Sequence, residues 1–564
     1  MNEEILYTDM SRCIPRSAFA DKHRRHHWQL IPYAAEGIEK GRLMSAGPLT
    51  EAPVVALPLD AKGWHAIYVG MWLCGRSYTR YALSTAGGEN MGGIKVRLSD
   101  DPCFVLFRRE EPSRGNLEEA FWKCADLSGR DIVISEQSGG FHNESSLAYV
   151  RLVKLSDAQV EELKRDRERQ DTKRLIATND AFGIFFRDHI TTREGIWEHV
   201  EPYRNTDFKK LFWEVVYGIM GGWRPGRVYG EDIEDFPRIG DKHLSESMRI
   251  LKSKGINPLK TAMDYAHSIG LEFHVSQRTE MFQTGPPFEE IYSTEFYRDN
   301  LSLRLVDRDG TQITGLSYAY PEVRNFLVSL FEEAAALGAD GAAVIYPRSA
   351  PFLLYEKPVV EGFKQKFGDD PREVDETDER LLRFRAGFMT RYMRELRQAM
   401  DRVGKKLGRR LEVSAITFAD GEANLSYGLD LASWIEGGLI DNLIAYPCTA
   451  DHSHKETDIE YYAQTTRGTP CKLYFNLMPR HMHAAEYRRQ AALCYEAGAD
   501  GLFFWDTYQR HDGTAQWETV RKLGHVQEIG RWVEQKKGQA EPRILQLTSL
   551  GGHNMGRYSP YRGT

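Results

Sequence analysis

Acidic, cationic and aromatic side chains recur just after the short apolar segments in the second two-thirds of the chain. Two carboxyl groups can cleave a glycosidic bond, one as the proton donor and the other as the nucleophile or the base. Aromatic faces and planar hydrogen-bond donors are the groups that hold sugar rings. These residue types therefore predict a carbohydrate-cleaving site. The candidate catalytic residues are Asp506, Glu356, Glu280 and Asp420, and the candidate substrate-binding residues are Asp180, Tyr217, Arg278, Arg348, Tyr446, Asn476, Arg480 and Trp505.

Asp506 and Glu356 are the predicted catalytic pair. Asp506 ends the apolar run 503–505, where a carboxylate is costly unless it is used or paired. Glu356 follows the apolar run 351–355, whose surroundings would raise its pKa toward that of a general acid. Two alternatives stay open at this point: Asp180 either caps a helix or contacts a ligand, and Glu214 either pairs with a core arginine or belongs to the site.

A metal site is an alternative at the same predicted edge of the fold. Asp451, His452 and His454 follow one predicted strand, and His481 and His483 follow the next. Their residue types suit zinc, but no HExxH or comparable spacing accompanies them. Sugar contacts or exposed loop histidines are the favoured interpretation, and we expect no metal or other cofactor.

The elements that would position these side chains alternate between strand-like and helix-like patterns from about residue 172 to 535. Eight such strands with helices between them predict a (β/α)₈ barrel, whose working groups lie at the C-terminal strand ends. An open doubly wound sheet is disfavoured because no GxGxxG follows the first strand. The phrase Gly-Ala-Asp-Gly stands before strands four and eight, at 338–341 and 498–501. The predicted strands are residues 175–180, 211–218, 271–278, 341–346, 411–418, 442–447, 472–478 and 501–506. The predicted helices are residues 193–203, 243–252, 258–268, 321–338, 378–403, 430–437, 484–498 and 516–535.

The first 155 residues have a different pattern, with short apolar segments separated by Gly, Asp and Pro. This favours a β-sandwich (jelly-roll-like) accessory domain. A charged helix with Ser156 as its N-cap would link it, over residues 156–173, to a barrel spanning 174–536. In the tail, 537–564, the segment 542–550 reads as a strand that would return to the sandwich.

Composition limits the remaining functions. Of 564 residues, 41% are hydrophobic and 27% charged, and the net charge is −7. Only the short basic segment 22–27 stands out, so we expect no nucleic-acid partner, and no apolar run approaches the ~20 residues of a membrane span. The N-terminus lacks an apolar leader and the seven cysteines are scattered without a CxxC pair, which predicts a cytoplasmic protein. A homo-oligomer remains open.

Several segments resemble a known family of barrel proteins. They are 317–324, 341–348, 355–356, 428–434, 438–441 and 501–506, and they are similar to the glycosyl-hydrolase-like "family 10-like" barrels over about residues 172–535. The resemblance implies a TIM-barrel glycosidase with a β-sandwich accessory domain, and it names no substrate. Many such barrels end strand four in an Asp, where this chain has Ile345. Either Glu356 replaces that acid, or the catalytic pair lies elsewhere, or hydrolysis has been lost.

The function expected from the sequence is therefore hydrolysis of O-glycosidic bonds in an oligo- or polysaccharide. Arginines at the predicted site suggest an anionic sugar carrying a carboxylate or a sulfate. The alternatives are a non-catalytic carbohydrate-binding pseudoenzyme and a metal-dependent barrel hydrolase.

Overall fold

The computed structural model describes residues 3–47, 49–72, 93–109, 115–137, 144–215, 236, 238–279, 294–347, 350–448, 456–480, 482–507, 511–534 and 543–555. Within these ranges, none of the helices has both the length and the apolar content that a membrane crossing requires.

Eight parallel strands close into a barrel, each pairing with the next in chain order and the last with the first. Every predicted strand is present, so the (β/α)₈ barrel is confirmed. Alternate side chains point inward and form one apolar stack that includes Phe212, Ile345 and Phe503. The others pack outward against the helices. The barrel strands, numbered one to eight below, are Leu175–Asn179, Phe208–Glu214, Glu272–Arg278, Gly341–Ile345, Glu412–Thr417, Asn442–Ala445, Lys472–Asn476 and Gly501–Phe504.

Helices lie in all the predicted segments, although 193–203 and 516–535 are each divided into shorter pieces. The helices Lys357–Phe367 and Ile459–Thr466, and the hairpin of Arg304–Val306 with Gln312–Leu316, were not predicted. The α-helices of the barrel region are Phe182–Asp188, Arg193–Trp197, Ile239–Ser253, Pro258–Ser268, Glu295–Asp299, Pro321–Ala335, Lys357–Phe367, Glu379–Leu407, Ala423–Ser426, Leu431–Glu436, Ile459–Thr466, Ala484–Glu496, Trp517–Val520 and Val526–Glu534. The helix Asp157–Glu168 precedes them, and Ser156 caps it through a capping box.

The repeated Gly-Ala-Asp-Gly phrase performs the same task at both of its positions. Gly338 and Gly498 have φ of +122° and +101°, values that favour glycine, and they end the preceding helices. Two residues later the carboxylate of Asp340 accepts the backbone N–H of Phe273 at 2.8 Å, and that of Asp500 accepts the N–H of Leu473 at 2.9 Å. Each Asp therefore ties the start of its strand to the neighbouring strand, at the N-terminal end of the barrel.

The N-terminal region forms a 14-stranded, mostly antiparallel sheet whose two halves share one apolar core. This is the predicted β-sandwich domain. The strand Ile544–Leu550 pairs on one side with Asn116–Asp126 and on the other with Trp28–Ala35. The remaining strands are Glu4–Tyr7, Phe19–Ala20, Ile38–Ala46, Val55–Leu57, Trp64–Met71, Gly93–Leu98, Val105–Arg108, Ile132–Ser135, Ser145–Leu147, Tyr149–Lys154 and His553–Asn554.

The sandwich packs against the loop that follows barrel strand eight. The backbone N–H of Arg108 donates to the carbonyl of Gly513 at 2.7 Å, and Lys95 forms an ion pair of 2.8 Å with Glu198. A Cβ at residue 513 would lie 2.0 Å from the carbonyl oxygen of Leu106, so the two backbones meet where only glycine fits. The sandwich thus helps to fix the loop in which Asp506 lies.

Candidate active site

Asp506 follows barrel strand eight with a backbone conformation that is unusual for a residue with a side chain, φ of +51°. Its N–H donates to the hydroxyl of Thr178, and the N–H of Thr507 donates to the carbonyl of Thr178 at 3.1 Å. These bonds tie the turn to barrel strand one and hold it in a costly conformation. Such conformations persist where the surrounding structure imposes them, often at functional sites.

The carboxyl group of Asp506 is buried, with the residue only 6% exposed. Burial and, next in size, the negative charge of Asp180 raise its pKa from 3.8 to about 6. The positive charges of Arg480, Arg187 and Arg278 oppose this rise. The group therefore retains a proton at a pH where an exposed Asp is fully ionised.

Asp180 has the helix-capping role, one of the two that the sequence left open, and its contact with a ligand stays a prediction. Its Oδ1 accepts the backbone N–H of Gly183 at 2.7 Å, in the first turn of the helix Phe182–Asp188. Its charge also acts on Asp506. A Cβ on Gly183 would lie 2.6 Å from a terminal guanidinium nitrogen of Arg187 and 2.9 Å from Asp180 Oδ1, so the glycine admits both groups.

Arg187 was missed in the sequence. It lies four residues after Gly183 on the same helix, a spacing that places its side chain over the glycine. That spacing was the available signal, but it has meaning only once the helix Phe182–Asp188 is known to begin beside Asp180.

Trp505, Tyr446 and Asn476 form the floor beneath Asp506. The carboxamide Oδ1 of Asn476 accepts the backbone N–H of Trp505 at 2.9 Å, and the rings of Tyr446 and Trp505 meet edge-on at 5.1 Å. Trp505, which the sequence placed among the substrate-binding residues, is 2% exposed and packs in the apolar stack inside the barrel. These three residues support the site from below.

Arg278 and Glu214 form a buried ion pair at this floor, with Arg278 Nε 3.2 Å from Glu214 Oε2. The guanidinium carbon also lies 5.5 Å above the Trp505 ring. Of the two possibilities that the sequence left open for Glu214, the structure shows the pairing with a core arginine. Arg278 is therefore held by a carboxylate of the protein itself.

Arg480 lies half-buried on the loop after barrel strand seven. One terminal nitrogen donates to the hydroxyl of Tyr446 at 3.4 Å, and the hydroxyl of Tyr487 donates to the Arg480 carbonyl. Its charge lowers the pKa of Asp506, although the two residues form no direct ion pair. The structure therefore brings Asp180, Arg278, Tyr446, Asn476, Arg480, Trp505 and Asp506 to one rim.

Glu356 has a structural position, which corrects its expected role as the proton donor. It is fully buried, and its carboxylate accepts the backbone N–H groups of Val306 at 3.1 Å and Leu354 at 2.9 Å. Burial raises its pKa, while these hydrogen bonds act in the opposite direction. Glu356 thus fastens the loop after barrel strand four to the hairpin strand Arg304–Val306.

Asp420 likewise serves its own loop: its Oδ1 accepts the N–H of Ala423 at 3.0 Å and its carbonyl accepts from the Asn424 carboxamide. Other predicted residues lie outside the described ranges, namely Glu280, Tyr217, Arg348, Asp451, His452, His454 and His481. His483 is exposed and immediately precedes the helix Ala484–Glu496. The structure therefore does not test the metal alternative.

Among the described residues, one group has the types and spacing of metal ligands: Glu272, His274 and Glu412, whose ligand atoms lie within 4.8 Å of one another. It lies at the N-terminal strand ends, opposite Asp506. The ammonium group of Lys210 contacts Glu412 and lies 3.9 Å from Glu272, so a lysine already supplies the positive charge. Burial lowers the pKa of His274 to about 3. Glu272, His274, Glu412 and Lys210 therefore close the N-terminal end of the barrel.

No protein-family model matches this chain, and no curated protein matches it at a significant level. Solved structures that resemble it include the α-L-fucosidase isoenzyme 2 of Paenibacillus thiaminolyticus, with TM-score 0.41, 14% identity and coverage of 64% of this chain and 50% of the fucosidase. A GH18 chitinase of Pseudoalteromonas aurantia has TM-score 0.32, 11% identity and coverage of 62% and 99%. A GH27 β-L-arabinopyranosidase of Geobacillus stearothermophilus, solved with arabinose, has TM-score 0.34, 14% identity and coverage of 64% and 78%.

The chain thus spans about half the length of the fucosidase. These three structures are glycoside hydrolases of different families. The chemistry argued below rests on the side chains of this chain.

Proposed function

We propose that this chain is a glycoside hydrolase in which Asp506 and Asp180 are the two working carboxyl groups. It would cleave O-glycosidic bonds of an oligo- or polysaccharide at the C-terminal rim of the barrel. One observation carries the proposal: a buried Asp506 beside the charge of Asp180, with a pKa raised to about 6. Two neighbouring carboxyl groups of unequal proton affinity are what acid-assisted cleavage of an acetal requires.

In this mechanism Asp506 is the general acid. It donates its proton to the glycosidic oxygen as the bond from that oxygen to the anomeric carbon breaks, and the leaving sugar departs as an alcohol. The positive charges of Arg480, Arg187 and Arg278 then stabilise the Asp506 carboxylate that remains. Water later returns the proton to Asp506 as the cycle closes.

Asp180 takes the complementary role. The N–H of Gly183 donates to its carboxylate, an interaction that is strongest with an anion. In one route the anion attacks the anomeric carbon and forms a glycosyl ester, which water activated by the Asp506 carboxylate then hydrolyses, so that the configuration is retained overall. In the other route it activates a water molecule that displaces the leaving sugar directly, so that the configuration is inverted. Both routes use the same two residues, so product stereochemistry distinguishes between them.

The test is hydrolysis of a panel of aryl glycosides and oligosaccharides by the wild-type protein, Asp506→Asn and Asp180→Asn. We expect each variant to lose about 10²–10⁴-fold in kcat/KM on any substrate that the wild type cleaves. Asp264→Asn is the matched control, because the Asp264 side chain is 58% exposed on the outer helix Pro258–Ser268 and pairs with Lys260. Full rates in both rim variants would exclude this pair. Sugar binding without cleavage by the wild type would favour the non-catalytic alternative.

A further inference from the structure

Arg480 has no carboxylate partner within the described part of the chain, whereas Arg278 beside the same Asp506 is paired with Glu214. Its only acceptor there is the Tyr446 hydroxyl at 3.4 Å, and its Nε is buried with no acceptor. A buried donor left without an acceptor costs about 1–3 kcal/mol. A guanidinium at the edge of a cleft with such an unsatisfied donor can donate a hydrogen bond to an acceptor on a ligand.

Arg385 and Arg521 also have no carboxylate partner in the described part of the chain, and each has one buried guanidinium nitrogen without an acceptor. Both are held by the main chain: Arg385 donates to the carbonyl of Leu354 at 3.1 Å, and Arg521 donates to that of Asn205 at 2.9 Å. Arg278, on the same rim as Arg480, is already paired with Glu214. Among these four arginines, Arg480 is the one that lies beside Asp506 and has a buried donor without an acceptor.

The charge balance at the rim leads to the same conclusion. The charged groups that act most strongly on Asp506 are Asp180 and three arginines, and Glu214 is the ion-pair partner of one of them. When Asp506 carries the proton that cleavage requires, these described groups carry three positive charges and two negative ones. One additional negative charge from the substrate would balance this excess in a partly buried site.

We propose that Arg480 binds an oxyanion substituent of the sugar, a carboxylate or a sulfate, and so makes acidic saccharides the substrates. This inference rests on the proposed function. The planar guanidinium can present Nε–H and a terminal N–H side by side to two oxygens of the oxyanion. The Tyr487 hydroxyl holds its main chain and Tyr446 supports its side chain, so Arg480 is already partly ordered before a ligand arrives.

The test measures binding as well as turnover. Isothermal titration compares glucuronate and galacturonate with glucose and galactose, and glucose 6-sulfate with glucose, for wild type and Arg480→Gln. We expect the wild type to prefer at least one anionic member of these pairs, and Arg480→Gln to lose about 10- to 100-fold of that preference. The ratio of kcat/KM for the corresponding aryl glycosides should fall by a similar factor. The pair that shows the preference identifies the oxyanion as carboxylate or sulfate.

Two further variants keep the test decisive. Arg480→Lys retains the charge but not the two parallel N–H donors of the guanidinium, so it should keep only part of the preference for the anionic sugar. Arg489 is exposed and paired with Glu486, so Arg489→Gln should keep all of that preference. A wild type without preference, or an Arg480→Gln protein that retains it, would overturn the assignment. Cleavage of neutral glycosides alone would overturn the inference and leave the proposed function standing. An Arg480-dependent preference without any cleavage would do the reverse.

Discussion

The buried carboxyl of Asp506 should make the protein less stable as the pH rises. Its pKa is 3.8 in its ordinary environment and about 6 in the folded chain, so the folded state binds the proton more tightly than the unfolded state. The stabilisation from this proton is complete below about pH 4 and is lost as the pH rises through about 6. A pKa difference of about 2 corresponds to about 3 kcal/mol. With the residue 6% exposed, solvent screening reduces this little.

Asp506→Asn should remove this dependence, because a carboxamide of nearly the same shape does not ionise. At pH 7.5 we expect the variant to be more stable than the wild type by about 2–3 kcal/mol, and at pH 4 nearly equal to it. An unfolding entropy of about 2.1 cal/mol/K per residue, over the roughly 360 residues of the barrel, converts 3 kcal/mol into a rise of about 3–4 °C in Tm.

Differential scanning calorimetry of both proteins at half-unit steps from pH 4 to 8 measures this difference. The curve of Tm difference against pH should rise with a midpoint between 4 and 6, and Asp264→Asn should show no such rise. A difference that is independent of pH, or a variant less stable than the wild type at pH 7.5, would refute the reasoning that Asp506 is an ionised, poorly solvated carboxylate at neutral pH.

The remaining predictions concern the partners of this group. Asp180→Asn removes the like charge, so the pKa of Asp506 should fall, and the residual pH–rate profile should lose activity on its basic side at correspondingly lower pH. Glu356→Gln places an NH₂ group against backbone N–H donors, so the free energy of unfolding should fall by about 1–3 kcal/mol and lower Tm. The basic side of the pH–rate profile should not shift. Gly513→Ala should lower the free energy of unfolding by at least about 1–3 kcal/mol, because φ is +69° there and the new Cβ would collide with the Leu106 carbonyl oxygen. It should also reduce kcat/KM. Calorimetry and glycoside hydrolysis measure the two effects.

The barrel could be predicted from the sequence because its signals are local. Each strand is a short apolar run, each long helix has a clear beginning or end, and the Gly-Ala-Asp-Gly phrase marks two entries from helix to strand. The missed helix Ile459–Thr466 is only eight residues long, and its N-cap Asp458 follows a segment with no apolar periodicity. Short elements of this kind depend on the neighbours against which they pack.

The site could be predicted only in part, as Asp506 and Glu356 illustrate. Both acids follow apolar residues, so both resemble a proton donor in the sequence. Whether such a carboxylate is satisfied depends on distant partners, and the N–H of Val306 lies fifty residues before Glu356. Arg187 was missed for the same reason, since its effect on Asp506 joins residues more than three hundred positions apart.

Three carboxylates of the barrel, Asp506 and Glu356 buried and Glu412 half-buried, show what separates a structural acid from a reactive one. Burial raises the pKa of Glu412, but the positive charge of Lys210 outweighs it and lowers the pKa to about 2. This group is therefore ionised at neutral pH. Burial raises the pKa of Glu356, but backbone N–H groups already occupy its oxygens. The pKa of Asp506 is raised both by burial and by the like charge of Asp180, and the residue lies on a turn with positive φ. Burial, a neighbouring like charge and a positive φ each destabilise the folded state, and such features are retained where function requires them. We therefore assign the chemistry to Asp506 rather than to Glu412 or Glu356.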